Sequence, residues 1–101
     1  MMEQRRRDAE RAAAQLQGPE DIAALLDACL VDNAREPTST ALLLGAIAEQ
    51  ADMDEVARGC QLSVATLRRE LGGQRIPRFS TIQRVMHALG VQLSVRVIEP
   101  R

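Results

Sequence analysis

The sequence has no lysine, no tryptophan and no tyrosine, and Phe79 is its single aromatic residue. Stacking platforms for single strands or splayed RNA bases need aromatic faces, so that mode of binding is excluded. Alanine (15) and leucine (12) dominate the 101 residues, so the core has to be aliphatic, and the composition favours helix. Histidine is nearly missing too. His87 stands alone between Met86 and Ala88, and at that helical position it is expected to be partly buried structure rather than a catalyst. No Cys/His cluster has metal-site spacing. Asp52, Asp54 and Glu55 form a helix-start cluster, not a calcium loop, and no nucleophile, base and orienting group come together. Catalysis, cofactor and metal are therefore not expected.

Cysteine is scarce. Cys29 and Cys60 each fall on an apolar helical stripe and read as reduced core residues of a cytoplasmic protein. The longest apolar run, Ala41 to Ala48, is far too short to span a membrane. The N-terminus is charged where a secretory signal is apolar, so a cytoplasmic location is expected.

What the chain does have is arginine, as all 13 of its basic side chains, and a charge gradient hidden in a net −1. Residues 20–55 hold nine acids against Arg35, for −8, and residues 56–101 hold eight arginines against Glu70 and Glu99, for +6. Residues 1–19 add +1. GC-rich coding alone would account for the missing lysine. Physically, the guanidinium fork matches phosphates and guanine edges, and a two-faced charge distribution fits a polyanion on one side and a different partner on the other. The acidic block is equally well read as a solvated helix surface.

Residues 1–18 are charged and alanine-rich, with only Leu16 and alanines to bury. They are expected to be an arm or a frayed helix, followed by one domain over 19–101. Gly18-Pro19 opens a helix at Glu20 or Asp21. Its Ile22, Leu25, Leu26, Cys29 and Leu30 form an amphipathic stripe, and it ends before Pro37. A second helix from Thr38–Thr40 to about Ala51 has a broad apolar face, which makes it central. Asp52 caps a short helix, with Glu55 at its third position. Ser63 caps the next, through Leu71, and Gly72-Gly73 stops it. Ser80 and Gln83 predict a capping box for a last helix ending at Gly90. Residues 91–98 then alternate: Val91, Leu93, Val95 and Val97 on one face, Gln92, Ser94, Arg96 and Ile98 on the other. That is strand periodicity, and a lone strand needs a partner. Antiparallel pairing with a second copy across a two-fold axis predicts a homodimer; the other reading of these residues is a frayed tail.

Residues 53–71, MDEVARGCQLSVATLRREL, carry the functional signal. Two short helices flank a tight turn, with Ala57 where they cross and Leu67 anchoring the second. Ser63, Val64, Ala65 and Thr66 open that second helix and Arg68 and Arg69 lie on its outer side, a layout suited to a helix-turn-helix entering a major groove. Between Arg58 and Arg84 there are six arginines and one acid, Glu70. Ser63, Thr66 and Ser80 add hydroxyls for phosphates. The turn position is Gln61, where a left-handed backbone would be strained.

The stretch from Pro37 to Val97 resembles the helix-turn-helix antidote proteins of bacterial type II toxin–antitoxin modules (HigA-like), within the lambda-repressor-like (XRE, Cro-type) class. The resemblance rests on ALLLGAIAEQA, VARGCQLSVATLRRELGG, QRIPRFSTIQRVMHALG and VQLSVRV. It implies an all-α, five-helix domain with one C-terminal dimerising strand. The function it implies is that of a repressor binding its own operator DNA as a dimer and neutralising a small basic, RelE-like toxin. On this reading Ser63, Val64, Ala65, Thr66 and Arg69 approach base edges, and Arg68, Arg75, Arg78 and Ser80 meet phosphates. Two alternatives stay open: a stand-alone or phage-type regulator without a toxin, and a helical interaction module that does not bind DNA.

Overall fold

The computed structural model describes residues 2–32 and 37–98. Six helices follow in order: α1 (Met2–Ala14), α2 (Pro19–Asp32), α3 (Pro37–Ala51), α4 (Met53–Cys60), α5 (Val64–Glu70) and α6 (Phe79–Ala88). The link expected to end α2 before Pro37, with Arg35 and Glu36 of the acidic block, lies outside the described residues, as do Glu99 and Arg101.

α3 is the hub, packing against α1, α2, α4 and α6. Its apolar residues cover most of its circumference, as burial on several sides requires: Ala41, Leu42, Leu43, Leu44, Ile47 and Ala48 are all buried. Leu67 of α5 and Val85 and Met86 of α6 close the same core. Both cysteines are buried thiols outside any disulfide. Cys29 Sγ lies 3.6 Å from Thr40 Oγ1. Burial pushes the Cys60 thiol up, against the opposing pull of Arg84, so Cys60 stays protonated at neutral pH.

Four features differ from the sequence expectations. The five helices expected become six, because the N-terminal segment is a docked helix. α1 packs against α3 and buries Ala9 and Ala13, one helical turn apart on one face. Alanines offer little area, but they let helix axes approach closely, so a helix that buries no large side chain still finds a seat. Second, residues 91–98 form no strand. A strand is defined by its ladder, and a single copy supplies none. Val91 and Leu93 pack on the core, Arg96 reaches Asp27 of α2 at 3.9 Å, and Val95, Val97 and Ile98 stand 98%, 89% and 90% exposed. Third, α6 starts at Phe79 after Arg78, which has no side-chain cap; Ser80 already lies inside the helix. Fourth, His87 is exposed on the solvent side of α6.

The other boundaries follow the local chemistry. Asp52 Oδ1 accepts from the backbone N–H groups of Asp54 (3.1 Å) and Glu55 (3.3 Å), capping α4 as its position predicts. Gly90, at φ 88°, ends α6 in a Schellman turn, with Val91 N–H on Met86 O at 2.9 Å.

Candidate functional site

The hairpin α4–α5 is built as its sequence implies. Gln61 adopts the left-handed conformation, φ 60° and ψ 35°. Its N–H donates to Arg58 O at 3.1 Å, and the Leu62 N–H reaches Ala57 O at 3.0 Å. This is the bonding pattern of a glycine-ended helix with glutamine in glycine's place. The local backbone strain is about 1–2 kcal/mol. Ala57 and Leu67 are buried at 2% and 0% exposure, so a small residue at the crossing and a leucine anchor hold α5 against α4.

Ser63 caps α5: its Oγ accepts the Thr66 N–H at 3.1 Å and donates to Thr66 Oγ1 at 2.9 Å. The two hydroxyls are thereby fixed on each other. Ser63 and Ala65 are exposed, whereas Val64 and Thr66 are half-buried.

The arginines divide into held and unheld. Arg68 forks onto Glu49 of α3, Nε to Oε2 at 3.0 Å and Nη2 to Oε1 at 3.2 Å. That hydrogen bonding, together with the carboxylate charge, raises its already high pKa further. Arg69 and Arg75 are exposed and make no hydrogen bond or ion pair among the described residues. Arg84 Nη1 donates to Cys60 O at 3.4 Å, behind the hairpin.

Glu70, the one acid in the basic stretch, turns inward and is 6% exposed. Its Oε1 accepts from Arg78 N–H at 3.3 Å and from Thr81 Oγ1 at 3.1 Å. Burial pushes its carboxyl up, but those two bonds and the charges of Arg78 and Arg75 outweigh it and hold the group below its ordinary range. Glu70 therefore does at the start of α6 what the expected Ser80–Gln83 box would have done, a carboxylate from α5 facing a helix N-terminus. It also fixes the loop bearing Arg75 and Arg78. Ser80 and Arg78 are exposed beside it.

One neighbour of this surface was not anticipated from sequence. Arg6 of α1 donates from Nη2 to Gly72 O at 3.4 Å, across 66 residues of chain. With Arg68, Arg69, Gln74 and Arg75 it lines an open concavity of about 440 Å³. Helical spacing in residues 1–17 carries no sign of this, since only the docking of α1 brings Arg6 there.

Fold and site together define a small all-helical protein that presents an arginine-rich helical hairpin to solvent. Residues 8–97 match the model of the family described as "Probable addiction module antidote protein". The chain belongs to that family, and an antidote implies a toxin as partner. The match starts within α1 and takes in α2 and the tail, well beyond the hairpin. No curated protein and no solved structure matches the chain. No described helix is long and apolar enough to cross a membrane.

Proposed function

We propose that the chain is a helix-turn-helix antitoxin of the HigA-like, lambda-repressor-like type. It represses its own operon by binding operator DNA as a homodimer, and it neutralises a small basic, RelE-like toxin without performing catalysis. The observation that carries the DNA-binding half is the hairpin itself. α5 is anchored by Leu67 and leaves Ser63, Ala65, Arg68 and Arg69 exposed along one outer surface. Residues 19–101 act as the DNA-binding domain, with the helix in residues 1–18 appended to it.

In this reading Ser63, Val64, Ala65, Thr66 and Arg69 meet base edges in the major groove, and Arg68, Arg75, Arg78 and Ser80 meet phosphates. Arg69 is the best candidate for a bidentate guanine contact, because its guanidinium is exposed and uncommitted. Val91, Leu93, Val95 and Val97 supply the dimer contact: Val91 and Leu93 seat the tail on the core, and the exposed Val95 and Val97 meet the tail of a second copy. The acidic surface, including Glu20, Asp21 and Asp27 of α2, is left to face a basic toxin.

Co-expression with the neighbouring open reading frame tests both halves at once. A co-purifying complex that also retards the chain's own upstream DNA supports the assignment. A complex with no preference for that DNA makes the chain an interaction module instead. Sequence-specific retardation with no bound neighbour makes it a stand-alone regulator.

A further inference from the structure

α1 carries four of the chain's arginines, and one of them is built into the surface beside α5. Arg6 and Arg68 form the shared wall of two adjoining depressions. On the α3 side Glu10 and Glu49 are present; on the open side the charged lining is Arg6, Arg68, Arg69 and Arg75, with no carboxylate. Four guanidinium groups around one concavity repel one another, and an anion placed among them removes that repulsion. Two of the four are already oriented, Arg6 by Gly72 O and Arg68 by its fork on Glu49. Binding there therefore orders few side chains that were not ordered before. The α1 backbone is held too, because Ala9 and Ala13 are buried.

We propose that Arg6, with Arg68 and Arg75, seats one backbone phosphate of duplex DNA, so that the N-terminal helix clamps the strand running past the C-terminal end of α5. This rests on the helix-turn-helix reading above and adds a contact from outside the hairpin, by a residue with no place in that motif. The ligand chemistry is a phosphodiester. The shape favours it over a mononucleotide, since the lining offers charge and an open mouth but no aromatic or enclosed apolar seat for a base.

The test compares full-length wild type with Arg6→Gln, Arg6→Lys and Arg7→Gln, titrated against the chain's own upstream duplex and a scrambled duplex of equal length at several salt concentrations. Arg7 sits on Glu3 at 3.8 Å, outside the concavity, and serves as the control. Loss of one phosphate contact lowers the slope of log K against log salt by about 0.9 per protomer. Arg6→Gln is expected to show that drop, with equal weakening on both duplexes. Arg6→Lys, which keeps the charge, and Arg7→Gln are expected to keep the wild-type slope. An unchanged slope for Arg6→Gln, with wild type still binding, overturns the clamp and leaves the hairpin reading standing. A lowered slope for Arg6→Lys or Arg7→Gln equally overturns it. Wild type that binds neither duplex removes both ideas together. As a last arm, inorganic phosphate at millimolar concentration is expected to leave the wild-type melting temperature unchanged. A rise that Arg6→Gln abolishes would assign the seat to a free anion and overturn the duplex assignment.

Discussion

At the scale of single residues, the informative positions are those where a side chain does something its type does not usually do. Gln61 occupies a left-handed turn where glycine would be unstrained. Gln61→Gly is expected to stabilise the fold by about 1 kcal/mol, read as a higher urea midpoint with unchanged m value; a loss of stability would mean that the glutamine side chain contributes more than its backbone costs. Glu70 makes the opposite case, a buried carboxylate kept charged by Arg78, Thr81 and nearby guanidinium groups. Its folded-state pKa is depressed, so its stabilisation is complete above the unfolded value of about 4.3 and disappears as pH falls through the folded value. Wild type is expected to exceed Glu70→Gln by about 1–3 kcal/mol at pH 6, the gap narrowing as pH falls below the unfolded value and through the lower folded one. A gap independent of pH would show that the charge plays no part. Sequence alone gave Glu70 no role beyond diluting a basic run. Its partners lie 8 and 11 residues away, across a loop whose path no local pattern specifies.

At the scale of helices, local chemistry was a good guide wherever a cap or a stripe was strong. Asp52, Ser63 and Gly90 mark boundaries that the structure reproduces, and the broad apolar face of α3 correctly placed it at the centre. Two elements depart from their local signals for identifiable reasons. α6 is started by a carboxylate from another helix, so its own Ser80 and Gln83 misled. α1 docks through alanines, whose burial contributes little area, and the helix as a whole is too polar to advertise a buried face. The seat is nonetheless tight: Ala13 is 3% exposed. Ala13→Leu is therefore expected to cost about 1–3 kcal/mol by overpacking. Limited proteolysis should show residues 2–14 released first; equal protection in the variant would mean that α1 does not depend on that contact. Leu67→Ala, at a fully buried site, is expected to cost about 2–5 kcal/mol in thermal melts, with loss of DNA binding following from the loss of α5's anchor. A cost under 1 kcal/mol would show that α5 is held elsewhere.

At the scale of the whole molecule, charge is segregated along the chain: acids on α2 and around the α3–α4 junction, arginines from α5 onward, with both signs mixed on α1. The alternating residues 91–98 predicted a strand, and the isolated chain leaves Val95, Val97 and Ile98 in water instead. The alternation is a property of sequence, while a ladder is a property of two segments. Apolar side chains this exposed are the ones the proposed dimer contact would cover. Val95→Asp together with Val97→Asp is expected to convert a dimer to a monomer in sedimentation equilibrium and to weaken operator binding by more than tenfold. A variant that stays dimeric would place the interface elsewhere.

The central claim is that the hairpin reads duplex DNA through guanidinium contacts on α5 and the loop behind it. The most direct measurement is the affinity of the full chain for its own upstream DNA, followed across salt and repeated with Arg69→Ala. With about eight phosphates neutralised per dimer, log K is expected to fall with log salt at a slope of roughly −7. Arg69→Ala is expected to lose about 1–3 kcal/mol on the specific site and far less on scrambled DNA. A salt-independent affinity, or equal binding to specific and scrambled duplexes by wild type, would contradict the account.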